Sequence, residues 1–395
     1  MLPVPAELLV GSTPPAHFGA GSIARLPAVI AAAGGDVALV VTDAALAATP
    51  VIAAVRAALA ADGVPVTVFS GVHPNPVTSD LAAGAAVATA TGLLERRPVV
   101  IAVGGGSPID AAKGIALAAV NPQRGRELDY RSQFPQRALP LVAIPTTAGT
   151  GAETNAFGVV TDEERHRKFY VGHASTMPAA AILDPDLTIG LPPGATAATG
   201  VDALTHAIES YLSVRANPWS GGIALQVMRM VAEFLPRAVA DGTDGEARAQ
   251  MLLAAHMAGV AMASTGLGAC HAIGHALGGR FDVPHGVALS LVLPSVLSFS
   301  LPAATDRLAD VAFALGAGDT AAAADRNAAA AVHAVAELAS SVGMTHALAD
   351  FGIDSTSFDQ IAADALDDEV LVNAPRQPDA ADIVSMLAVA QGVSS

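Results

Sequence analysis

Between residue 36 and about 185, short β-rich apolar runs alternate with Ala-rich helical runs. DVALVVTD (36–43), VPVTVFS (64–70), PVVIAV (98–103) and LPLVAIP (139–145) read as strands. PVVIAV has no polar member, the mark of a strand buried on both faces. Helices are expected from Ala44 to Asp62, over 77–94 and after Pro108. Two shorter β-like pieces follow near 156–160 and 168–172, and AAAILDP (179–185) closes the region. Strand and helix in alternation predict a parallel sheet. From about 192 the strand signals nearly vanish. Pro192 and Pro193 fit the start of a helix, and helical runs follow at 201–214, 219–240, 245–263, 270–278, roughly 287–299 and 320–342.

The 395 residues exceed what one core usually supports. The pattern therefore predicts an α/β nucleotide-binding domain over 1–190 and an all-α domain over 191–395. No internal repeat interrupts this plan, and AAAADRNAAAAV (321–332) reads as a plain surface helix. Residues 251–279 lack Asp, Glu, Lys and Arg and are long enough to suggest a membrane span. Their Ala, Gly and Met content, with His256, His271 and His275 inside, instead predicts a buried helix, a loop around Gly266 to Gly268 and a second buried helix.

Charge narrows the partners. With 20 Lys and Arg against 36 Asp and Glu, the formal net charge is −16, which disfavours nucleic acid and anionic membranes as partners. The solitary Cys270 cannot form an internal disulfide, and MLPVPAELLV lacks a basic stretch followed by a long apolar one. A cytoplasmic protein is the expectation.

Gly104, Gly105, Gly106 and Ser107 follow the buried strand and precede a helix, so bare backbone amides at a helix N-terminus can face a pyrophosphate. Tight strand-to-helix turns also use glycine for steric reasons. The loop matches neither the Walker A pattern nor the GxGxxG order. A second Gly/Thr loop, with Thr146, Thr147 and Thr150, follows the next strand, at the sheet edge where ligands bind. Asp43 closes the first strand. There it can accept hydrogen bonds from a ribose and repel a 2′-phosphate, favouring NAD over NADP, or it can merely cap the next helix.

Asp202 and His206 share a helical face, as do His271 and His275, and His285 follows after Gly278 and Gly279. One carboxylate with imidazoles suits Fe(II) or Zn(II). Spacing does not say which of His271, His275 and His285 stays outside the metal's shell.

In order and spacing, GGGSPIDAAK (104–113), PTTAGTGAE (145–153), DALTHAIESY (202–211) and the histidine segment 271–285 resemble the iron-containing, group III alcohol dehydrogenases. FGAGS (18–22), the VTD ending in Asp43, HPNP (73–76) and AAAILDPDLTIGLPP (179–193) extend the resemblance along the whole chain. It implies a dehydroquinate-synthase-like architecture with the active site between the two domains. It further implies that Asp202, His206, His271 and His285 are the metal ligands, and that His275 lies near nicotinamide and substrate. By the same resemblance Asp43, Asn75, Gly105, Ser107, Thr146, Thr147 and Lys168 contact the dinucleotide. Cys270 adjoins His271 but points about 100° away on a helix, and is read as packing.

The implied chemistry is reversible hydride transfer between an alcohol carbon and nicotinamide C4, with the metal on the oxygen and His275 passing the proton. The expected partners are a small alcohol or aldehyde and further copies of the chain, in a dimer or larger homo-oligomer. Small apolar residues near Met262 suggest a short or medium alcohol. The alternatives are a polyol dehydrogenase, a hydroxyacid–oxoacid transhydrogenase, a maleylacetate reductase of the same fold, or a non-catalytic metal- or nucleotide-binding protein.

Overall fold

The uninterrupted apolar run at 98–103 becomes an interior strand of a six-stranded, all-parallel sheet. The computed structural model describes residues 2–3, 13–121, 125–165 and 167–391. Its strands are β1 (Ala16–Phe18), β2 (Val37–Asp43), β3 (Val66–Val72), β4 (Pro98–Gly104), β5 (Leu141–Pro145), β6 (Phe157–Asp162), β7 (Arg167–Gly172) and β8 (Ala180–Leu183). Six of them pair in the order β1-β8-β5-β4-β2-β3. The β-like pieces expected near 156–160 and 168–172 are β6 and β7, an antiparallel pair of their own that packs against the helix following β4.

Among the described residues, five α-helices belong to this unit: α1 (Leu26–Ala32), α2 (Ala44–Ala47), α3 (Pro50–Ala61), α4 (Thr78–Ala90) and α5 (Gly106–Ala118). Successive strand residues point to opposite faces. Ala38 and Val40 pack with Leu26, Ile30, Ile52, Val55 and Leu59 of α1 and α3, whereas Leu39 and Val41 pack with Leu81, Ile109 and Ile115 of α4 and α5. The helix after β2 and the helix after β4 thus cover opposite faces, although these strands are neighbours. Such a switch opens a crevice at the carboxyl edge of the sheet, where β2 ends in Asp43 and β4 in Gly104.

Two local expectations need correction. The single helix expected from Ala44 to Asp62 is two helices, because Thr49 is extended and its hydroxyl accepts the amide of Val51, starting α3 with Pro50 in its first turn. The residue before a proline disfavours the helical region, so α2 cannot run through. Second, β1 lies outside the expected strands; only three residues long, it pairs with Ala181, Ile182 and Leu183.

Leu191 onward, with Leu2 and Pro3, forms a second compact unit, so these two residues leave the 1–190 segment expected for the α/β domain. It contains α6 (Pro193–Leu212), α7 (Pro218–Ala240), α8 (Gly245–Thr265), α9 (Ala269–Phe281), α10 (His285–Ala314), α11 (Ala324–Ser341), α12 (Phe358–Leu366) and α13 (Ala380–Ala390), and no strand among its described residues. α6 begins at Pro193, where the two prolines fit a helix start, and continues through the expected 201–214 run to Leu212. α10 runs beyond 299 to Ala314, through Pro294 and Pro302, with a kink at Ala304 (φ −140°). The uncharged stretch 251–279 is α8 and α9, which meet at 107°. α10 is long and apolar enough to cross a membrane, yet 61% of its most apolar window is buried and it packs against α6, α9 and α11.

Candidate metal centre and dinucleotide loops

Every residue of α6 from Gly200 to Leu212 is buried. Polar side chains on this helix therefore lie among apolar neighbours and need partners. Asp202, His206 and Glu209 stand at i, i+4 and i+7, one stripe of the helix. α9 brings His271 to the same place. Its last turn ends on Asp282, the one described non-glycine residue with positive φ (55°), and the short turn through Pro284 starts α10 on His285. Gly286 then lets the two helices touch, because a Cβ there would lie 2.0 Å from the backbone oxygen of Ala198 on α6.

Three imidazole nitrogens converge on one carboxylate oxygen. Asp202 Oδ1 lies 3.4 Å from His206 Nε2, 3.7 Å from His271 Nε2 and 3.6 Å from His285 Nε2. Ligands about 2.0–2.1 Å from a tetrahedral metal stand about 3.3–3.4 Å apart, so this spacing is that of a slightly open coordination shell. Asp202, His271 and His285 have ligand atoms all within 4.8 Å of one another, a group that does not include His206. Asp202 Oδ1 and His271 Nε2 are buried with no hydrogen-bond partner among the described residues, a costly arrangement that a divalent cation would satisfy. His285, with 29% of its side chain exposed against 5% or less for the other three, marks the open side.

Charge follows the same pattern. Burial pushes the Asp202 carboxyl up, but the imidazoles of His206, His271 and His285 outweigh it and hold it well below the usual range. Burial likewise disfavours a charged His271, yet the carboxylates of Glu209 and Asp202 raise it to about 9. Glu209 is held low, against burial, by His271 and the amides of Gly268 and Cys270. Cys270 goes the other way. Burial and the nearby Glu209 and Asp202 charges raise its thiol well above the ordinary value, and its sulfur contacts the Leu289 carbonyl at 3.6 Å.

His275 stands one turn further along α9, its ring stacked on His285 at 5.5 Å, and it is not among the atoms gathered at Asp202 Oδ1. Its Nδ1 is 2.7 Å from Asp368 Oδ2. The sequence reading missed Glu209 and Asp368. Glu209 was detectable as an acid seven residues after Asp202, on the same helical stripe, whereas Asp368 lies 93 residues from His275 and carries no local signal.

In the α/β unit the nucleotide-loop candidates gather at the sheet edge. Gly104 ends β4 at φ 147°, Gly105 precedes α5 with no side-chain cap on its amides, and Gly106 and Ser107 open that helix. A Cβ at Gly105 would lie 3.1 Å from Thr147, and one at Gly106 would lie 2.8 Å from Thr150. The two loops therefore pack together only because these positions are bare. The amide of Thr146 donates to the Gly104 carbonyl at 2.9 Å, and the Ser107 hydroxyl donates to the carbonyl of Pro74, fastening the turn that carries Asn75. Asp43 caps α2, its Oδ1 accepting the amide of Leu46 at 2.8 Å. Lys168 sits on β7 opposite Thr161, close enough to favour the ionised form of Asp110 on α5.

Gly286→Ala is expected to weaken metal binding without touching a ligand. The clash is with backbone, so α10 must withdraw from α6, at a cost of about 1–3 kcal/mol, and carry His285 away from Asp202. Metal titration of the purified variant checks this; an unaltered affinity would mean that the helices tolerate the methyl.

The iron-containing alcohol dehydrogenase family matches residues 14–185, and the C-terminal part of the Fe-containing alcohol dehydrogenase family matches residues 196–391. Alcohol dehydrogenase 4 of Schizosaccharomyces pombe is 37% identical over 91% of this chain and 84% of its own length. The NAD-dependent methanol dehydrogenase of Bacillus methanolicus is 36% identical over 95% and 97%. The solved structure of a 1,3-propanediol oxidoreductase superposes with a TM-score of 0.92 at 35% identity, covering 96% of this chain and 98% of that one.

Proposed function

Given that the chain belongs to the iron-containing alcohol dehydrogenase family, we propose that it interconverts a small alcohol and its aldehyde with NAD, using a divalent metal held by Asp202, His206, His271 and His285. The observation that carries this reading is the convergence of three Nε2 atoms at 3.4–3.7 Å on Asp202 Oδ1. A cation bound there would supply Lewis acidity to the substrate oxygen, and a dinucleotide bound at the glycine loops would supply the hydride acceptor. Fe(II) and Zn(II) both suit the donor set.

The chain's own residues supply the remainder. Gly104 to Ser107 offer the amides of the α5 N-terminus to the pyrophosphate, and the Thr146 to Thr150 loop holds that backbone in place. Asn75, on the turn fastened by Ser107, and Lys168, near Asp110 of α5, are read as further dinucleotide contacts. His275 takes the alcohol proton at Nε2, because Asp368 engages Nδ1 and so orients the ring. The test is anaerobic purification with metal analysis, followed by a panel of alcohols, diols and aldehydes assayed with NAD(H). Stoichiometric metal without turnover on any of them would count for a binding protein instead.

Asp43 is read as the NAD-selecting residue as well as a cap, since one carboxylate oxygen holds Leu46 and the other remains for a ribose. Asn caps helices as well as Asp does, so Asp43→Asn removes the charge and keeps α2. The kcat/KM preference for NAD over NADP is then expected to fall by roughly tenfold, the difference between a charged and a neutral hydrogen bond. An unchanged ratio would leave Asp43 as a cap alone.

A further inference from the structure

We infer that Glu209 is a positioning residue for the metal centre: through His271 it fixes which imidazole nitrogen faces the metal and how strongly that nitrogen donates. The inference rests on the metal reading above and deepens it. α9 has no side-chain cap of its own at Gly268. Its first amides are satisfied instead by the Glu209 carboxylate, presented from α6. Oε2 accepts from the Gly268 amide at 3.1 Å, and Oε1 accepts from the Cys270 amide at 2.7 Å. Oε2 also accepts from His271 Nδ1 at 2.6 Å.

Glu209 is not among the ligand atoms grouped with Asp202, and both its oxygens are turned to α9. Two backbone donors at a helix N-terminus hold the carboxylate, and the carboxylate in turn holds the proton on His271 Nδ1. Nε2 is left as the nitrogen on the Asp202 side, 3.7 Å from Oδ1, and with the proton held on Nδ1 it is the one free to donate to a metal. Hydrogen bonding of a ligand imidazole to a carboxylate orients the ring and raises its basicity. Gly268 belongs to this device, because a Cβ there would come within 3.1 Å of Glu209 Oε1. Two carboxylates thus answer to one cation, Asp202 directly and Glu209 through an imidazole.

The test uses the full chain, stripped of metal and titrated with Zn(II) against a chromophoric chelator. Glu209→Gln keeps the shape and removes the charge. Zn(II) affinity is expected to fall 10–100-fold, with NADH binding unchanged. In the Zn(II)-loaded wild type, selectively labelled with 15N-histidine, His271 is expected to show a proton on Nδ1 at a far-downfield shift, moving upfield in Glu209→Gln. A purely structural role would not move that proton. Should Glu209→Gln fail to fold, the wild-type spectrum alone decides: a His271 protonated at Nε2, or an Nδ1 proton without the downfield shift, overturns the inference. So does a Glu209→Gln affinity within twofold of wild type. A wild type that binds no Zn(II) overturns the metal reading itself, a separate outcome.

Discussion

His206→Ala protein is expected to take up less than one metal per chain and to lose roughly 10³–10⁴-fold in kcat/KM, while binding NAD(H) as the wild type does. The magnitude is that of several kcal/mol of Lewis-acid stabilisation removed from the transition state. Dinucleotide affinity is spared because the nucleotide loops belong to the α/β unit and all four ligands to the helical one. His206 is a better target than His271. Truncating His271 would deprive the buried Glu209 of its imidazole partner, mixing a folding defect with the loss of a ligand. His275→Ala is the control, since it should keep stoichiometric metal and lose rate. Metal analysis and NADH titration on the same preparations check both variants. Full metal content and activity in His206→Ala would remove it from the site, and loss of metal in His275→Ala would show that the histidine roles have been exchanged.

Lys113→Met is expected to destabilise the α/β unit by about 3–5 kcal/mol, the effect of breaking a buried charge pair by removing one member. Lys113 is fully buried on α5. Its ammonium donates to the carbonyls of Ala152 and Phe157 and to Asn155 Oδ1, at 2.7 Å from the first and 2.8 Å from the last, and it lies 3.6 Å from Asp110. Burial disfavours the charge, while Asp110 and Glu153 favour it. Methionine matches the length and answers none of these acceptors. They anchor residues 152–157, directly after the Thr146 to Thr150 loop, so NADH affinity should fall as well. Hydrogen exchange of the β4 and α5 amides measures the loss locally. A change under about 0.5 kcal/mol, the scale of a surface substitution, would mean that Lys113 is not holding the loop.

Much of this was legible in the chain because its causes are local. β4 declares itself by six consecutive apolar residues, since a strand covered on both faces tolerates no polar member. The 251–279 stretch reads as two helices because glycines interrupt it. Asp202 with His206, and His271 with His275, follow from the 3.6-residue turn, which puts i and i+4 on one face wherever the helix ends up. Helix ends were less legible. Pro50 splits one expected helix, whereas Pro294 and Pro302 fail to end another, because packing against α6 and α11 carries α10 past them.

Tertiary structure alone decided which groups share a point in space. Nothing near His285 announces that Gly286 must be bare, for the atom it would strike is the carbonyl of Ala198, on a helix 88 positions earlier. Asp368 meets His275, and Glu209 meets the start of α9, only once α6, α9 and the segment before α13 are packed. The periodicity of a helix specifies the direction in which a side chain leaves it. Which partner waits there depends on long-range contacts that no window of sequence contains. The ligand pairs were therefore readable from spacing, while the carboxylates that orient two of the histidines emerged only from the fold.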